Sequence, residues 1–85
     1  MRYAISYDLN NPGNNYQKLY EALAQLGAER VLLSEWVTNR RQGASAERLC
    51  DWIWTFMDGN DRVLVTCLDS PDWAGRNLRA NPNNV

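Results

Sequence analysis

The sequence predicts an α+β sandwich: an antiparallel sheet with two helices on one face, in the order β-α-β-β-α-β. Three observations lead there. Two segments, 16–26 and 46–57, repeat apolar residues at helical spacing. Three others, Arg2–Asp8, 30–39 and 62–68, are dense in aliphatic, β-branched and aromatic residues. The third of these observations is order: helical and extended segments alternate along one short chain.

The first strand is read from Tyr3, Ile5 and Tyr7, which alternate with Ala4, Ser6 and Asp8. Both sets are apolar or small until Asp8, so the strand is expected to be central and covered on both sides. The Asn- and Pro-rich run Asn10-Asn11-Pro12-Gly13-Asn14-Asn15 turns the chain, and Asn14 or Asn15 is the expected N-cap. Helix 16–26 presents Tyr16, Leu19, Tyr20, Leu23 and Leu26 on one face and stops at Gly27. Segment 30–39, fully extended, would reach about 33 Å at ~3.3 Å per residue. That is long for so small a domain, so a bend or bulge near Ser34-Glu35 is expected to split it into two strands. No Asn-Gly or Asp-Gly step supports a tight hairpin there.

Ser45 is the expected N-cap of helix 46–57, whose apolar face is Leu49, Cys50, Ile53, Phe56 and Met57. Asp58-Gly59-Asn60-Asp61 turns the chain into 62–68, which is almost continuously apolar and therefore expected to be buried on both faces. Residues 1–73 then make one domain, and 74–85 a polar tail, flexible or partner-docking. Two single-faced helices cover one side of the sheet. The other side needs a partner, and a second copy is the simplest one. Tyr3, Ile5, Trp36 and Val65 are the surplus apolar residues expected at that homodimer contact.

The chain has 85 residues with nine basic and ten acidic side chains, so no global positive charge drives nucleic-acid binding. It contains no histidine, which excludes a His-based triad or a His general base. Cys50 and Cys67 form no CxxC pair, a zinc site is not expected, and both thiols are read as reduced and buried. No apolar run is long enough to span a bilayer and the first ten residues lack a signal-peptide core, so a cytoplasmic location without a membrane partner is expected.

The run Tyr3-Ala4-Ile5-Ser6-Tyr7-Asp8-Leu9, followed by a helix and then by Ser34-Glu35-Trp36, resembles the small CRISPR-associated protein of spacer acquisition. It is also similar to the virulence-associated protein D family of toxin-like ribonucleases. The similarity covers roughly the first four-fifths of the chain. It implies a ferredoxin-like fold and a sheet-mediated homodimer in which the two first-strand aspartates approach one another. It also implies either a Mg²⁺-dependent nuclease or a nucleic-acid-holding scaffold. By position, Asp8 takes the place of the family aspartate and Ser34 that of the family serine. The sequence departs from the family in its sparse basic residues near the first helix, with Lys18 alone there, and in its tail.

By that resemblance Asp8 is the candidate catalytic and metal-binding residue, Ser34 a second catalytic candidate, and Mg²⁺ the expected cation. The alternative is that Asp8 caps an Asx-turn with Asn10. Glu35 is read as an edge charge that discourages strand pairing. Arg40, Arg41 and Arg76 are candidate contacts to the phosphates of RNA or DNA. Trp73 either stacks a base or fills an apolar groove on a partner.

Overall fold

The computed structural model describes residues 1–11, 16–40, 44–69 and 73–85. Its elements are β1 (Arg2–Asp8), α1 (Gln17–Gln25), β2 (Glu29–Leu32), β3 (Glu35–Asn39), α2 (Ala46–Trp54) and β4 (Arg62–Cys67), with a short 3₁₀ turn at Pro82–Asn84. The sheet has four strands in the order β2-β3-β1-β4, and every neighbouring pair is antiparallel. This small α+β arrangement is consistent with the ferredoxin-like class. Among the described residues, no helix is long and apolar enough to cross a membrane.

β1 is central because both its edges are paired: Ile5 lies opposite Trp36 of β3 and Val65 of β4. Its alternation then decides the two faces. Tyr3, Ile5 and Tyr7 point to the helices and join Leu19, Leu23, Leu49, Ile53 and Trp36 in one core. Both helices therefore lie on the same side of the sheet. Ala4 points the other way and packs with Val31 and Val37.

The helices end as the chemistry of their termini dictates. Ser45 accepts a hydrogen bond from the Arg48 N–H at 3.1 Å and caps α2. At the far end of α1, Gly27 adopts φ +75°, and Ala28 and Gly27 donate to the carbonyls of Leu23 and Ala24. That is a Schellman closure, which a side chain at the left-handed position would strain. The expected cap residues Asn14 and Asn15 lie outside the described residues, and the α1 N-cap position, Tyr16, makes no side-chain cap. α2 stops at Trp54 rather than continuing to Met57, because Thr55, Phe56 and Met57 each donate three residues back, to Trp52, Ile53 and Trp54. The last turn is thus wound tighter than an α-helix.

Four expectations are corrected. First, segment 30–39 does split near Ser34, but as a two-residue hairpin: Leu32 pairs with Glu35, and the register shifts between Arg30 and Leu32. The turn forms without a turn-prone dipeptide because distant groups satisfy it. The Leu33 carbonyl accepts from the Arg30 guanidinium at 3.0 Å and the Tyr7 hydroxyl at 3.3 Å, and the Ser34 carbonyl accepts from the Tyr7 N–H at 3.0 Å. Second, β4 is an edge strand, so its apolar run is half wet: Leu64 is 63% exposed, and Thr66 and Cys67 are exposed too. Third, Cys67 is accordingly a surface thiol and Cys50 only partly buried.

The fourth correction concerns surplus apolar surface. Tyr3, Ile5 and Trp36 are buried under the chain's own helices, and Val65 packs against that same core. None of them is free to meet a second copy, because strand parity sends all four toward the helix layer. Part of the opposite face is covered as well. Leu68, Ala80 and Val85 pack on Ala4, Val31 and Val37. The Arg79 N–H donates to the Val31 carbonyl at 2.8 Å, and the Arg2 and Asn39 side chains donate to the Val85 carbonyl at 3.3 Å. Residues 74–85, read from sequence as a flexible or partner-docking polar tail, lie together with Trp73 as a strap across their own sheet.

Candidate functional site at the end of the first strand

Asp8 is the last residue of β1 and pairs in register with Arg62, the first residue of β4. The carboxylate and guanidinium stand 4.0 Å apart, and both are largely exposed. Asp8, Arg62, Ser6, Ser34, Val63 and Leu64 line a cleft of about 220 Å³ at this end of the sheet. A second hollow, about 370 Å³, opens on the other side of Asp8 and Ser34, toward Leu9, Asn10 and Tyr20. The structure therefore brings the two catalytic candidates, Asp8 and Ser34, onto one rim. The hairpin makes this possible, since the Ser34 carbonyl is tied to the backbone of Tyr7, next to Asp8.

The floor beneath is rigid. The Trp36 indole N–H donates to the Tyr7 hydroxyl at 2.9 Å, and that hydroxyl donates on to Leu33. Burial pushes the Tyr7 phenol above its usual range, against the opposing pull of the Trp36 N–H and the Arg30 charge. Arg30 lies 4.9 Å from the Tyr20 ring centre and 5.5 Å from that of Trp36, closing the cluster by cation–π contact.

A polar lock holds the loops on either side of the cleft. The buried Asp61 carboxylate accepts from the Asn10 N–H, the Tyr16 hydroxyl and the Asp58 N–H, each at 2.8 Å. Asn11 and Asn60 exchange side-chain hydrogen bonds at 2.6 and 3.3 Å beside it. Burial alone would raise the Asp61 pKa. The amides of Asn10 and Asp58, with the Tyr16 and Asn11 side chains, outweigh it and hold Asp61 below the usual carboxylate value. The lock joins the loop after β1 to the loop before β4, so it sets the ends of the strands that carry Asp8 and Arg62.

Other candidates fall elsewhere. Glu35 sits on an inner strand, not an edge, and accepts a short hydrogen bond from the Ser6 hydroxyl. Asp8 faces Arg62, and Asn10 is engaged by Asp61 and Asn60. Arg40 follows β3 at the opposite end of the sheet, since Asn39 pairs with Arg2. Arg76 and Trp73 line a cavity of about 410 Å³ between the strap and the open sheet face. Arg41 lies outside the described residues.

The residues that sequence reasoning missed are Arg62 and Asp61. Arg62 was readable in principle, because an antiparallel first and last strand places the end of one against the start of the other. Asp61 gave no local signal beyond a turn. Among the described residues, no group of three or more His, Cys, Asp or Glu side chains converges in a way that could hold a metal. Among the described residues that line this cleft, Asp8 is the one carboxylate. The chain matches no family model.

Proposed function

We propose that this chain is a metal-dependent endonuclease, a phosphodiesterase acting on RNA or DNA, whose site is the Asp8 cleft completed across a homodimer. The observation that carries this reading is the exposed Asp8 carboxylate, on one rim with Ser34 and beside the Arg62 guanidinium. Mg²⁺ commonly takes one or two carboxylates, keeps several waters and binds substrate phosphate, so an Asp8 pair across a dimer fits it. When bound, such an ion activates water and neutralises phosphate charge. Within the chain itself, Asp8 holds the cation, Arg62 meets a phosphate oxygen, and Ser34 offers a hydroxyl at the rim.

The dimer in this reading uses the part of the open face the strap leaves bare, where Leu64 is exposed beside Ser6 and Asp8. The resemblance to the spacer-acquisition and virulence-associated protein D families supports both the fold and the aspartate. A second reading, a non-catalytic homodimeric scaffold for nucleic acid or protein, is favoured by the Asp8–Arg62 contact, which already gives the carboxylate a counter-charge. The test is cleavage of single- and double-stranded RNA and DNA with Mg²⁺, with EDTA, and by Asp8→Asn. Mg²⁺-dependent cleavage that disappears in Asp8→Asn is expected. Binding without cleavage would establish the scaffold instead.

A further inference from the structure

We infer that the cavity at the start of α2 binds single-stranded nucleic acid, with Arg40 and Arg48 on a phosphate and Trp52 stacked on a base. The cavity measures about 260 Å³, and its lining includes Arg40, Ser45, Arg48, Leu26, Leu49 and Trp52. Arg48 and Trp52 are four residues apart on α2, so both project to the same side of the helix. Arg40 approaches from the end of β3.

Three features fit this ligand. Among the described residues, neither the Arg40 nor the Arg48 guanidinium has an ion-pair or hydrogen-bond partner, whereas those of Arg2, Arg30 and Arg62 are engaged. Two guanidiniums with no partner among the described residues, set on one hollow, suit a phosphate, which they grip bidentately. Trp52 is 38% exposed, yet its ring is braced edge-on by Phe56 at 5.1 Å and 77°. A braced, half-open indole offers a face to an unpaired base at little ordering cost. Finally, Glu47 and Asp51, the carboxylates adjacent in sequence, do not line the cavity.

The hollow is smaller than the ~300–1,000 Å³ that encloses a typical small-molecule ligand. It takes about one nucleotide, with the strand continuing over the surface. Duplex DNA does not satisfy it, because its bases are already stacked. The site lies at the Arg2 end of β1, and Asp8 is six residues along the strand, roughly 20 Å away at ~3.3 Å per residue. The inference rests on the nucleic-acid part of the function proposed above, but not on Asp8 or on any metal.

The experiment is fluorescence anisotropy in EDTA and low salt, with labelled single-stranded oligo(dT) and oligo(U) of about ten nucleotides and a duplex control. Wild type is expected to bind the single strands more tightly than the duplex. Trp52→Ala should weaken binding about 5- to 100-fold, with Trp52→Phe retaining most of it. Arg40→Gln with Arg48→Gln should lower the slope of log affinity against log salt by about 0.7, the value for one lost phosphate contact on a single strand. Melting curves verify that each variant is folded. In wild type, which needs no variant to fold, the Trp52 indole N–H resonance should shift on titration with oligo(dT). Binding that is unchanged in both sets of variants, with an unmoved Trp52 resonance, overturns this site and leaves nucleic-acid binding to another surface. No binding of any strand by wild type in EDTA overturns this inference, whereas the function it rests on falls only if cleavage with Mg²⁺ is absent as well.

Discussion

Asp8 and Arg62 face each other across the β1–β4 ladder, carboxylate to guanidinium at 4.0 Å, with both side chains mostly in water. An exposed pair of this kind contributes about 0–1 kcal/mol to folding. Its charges are therefore available for binding without a large cost to the fold. Asp8→Asn should change stability by less than about 1 kcal/mol, read from urea unfolding, while removing Mg²⁺-dependent cleavage. A larger loss would mean that Asp8 is chiefly a structural residue.

Asp61 is the opposite case, a carboxylate that the fold has enclosed and satisfied. Asp61→Ala removes the acceptor for Asn10, Tyr16 and Asp58 and should cost roughly 1–3 kcal/mol. For a domain of this size that is about 4–8 °C of melting temperature per kcal/mol. Calorimetry reads the effect directly. A melting point equal to wild type would show that the lock is redundant.

The pH dependence follows from the same group. The folded-state pKa of Asp61 lies below its ordinary 3.8, so its stabilisation is fully present only well above that value. As pH falls below about 5, the unfolded chain takes up the proton first and stability declines, until pH has passed through the lower folded value. Urea midpoints measured from neutral pH to pH 2 should fall more steeply in wild type than in Asp61→Asn. Parallel curves would remove Asp61 as the source.

At high pH the sign reverses for Tyr7. Its folded-state pKa is raised from 10.0 by burial, so its contribution is complete below pH 10 and is lost as pH rises beyond it. Tyr7→Phe should flatten that alkaline loss, monitored by unfolding above pH 9. It should also loosen the Ser34 hairpin, since the Leu33 carbonyl loses one of its donors.

The strap makes a prediction about assembly. Removing residues 79–85 strips Ala80, Pro82 and Val85 from the sheet and bares Ala4, Val31 and Val37. The truncated chain should melt lower and self-associate more strongly than the full chain in sedimentation at equal concentration. Unchanged melting and association would show that the strap has little hold on that face.

Local chemistry alone determined much of this protein. Helix positions followed from the spacing of Leu19, Leu23, Leu49 and Ile53, the cap at Ser45 and the stop at Gly27 from single-residue preferences, and the order of elements from runs of Val, Leu and Tyr. Asp8 was legible because it ends an apolar strand. The central place of β1 was legible too, but the edge position of β4 was not, because an apolar run reads alike in a central strand and in an edge strand with one helix-covered face. Only pairing revealed β4 as the edge and sent Tyr3, Ile5, Trp36 and Val65 inward. The hairpin at Leu33-Ser34, the Asp61 lock and the strap share one cause. Each is held by hydrogen bonds between residues far apart in the chain, from Tyr7 to Leu33, Asn10 to Asp61 and Arg2 to Val85, which no short window of sequence contains.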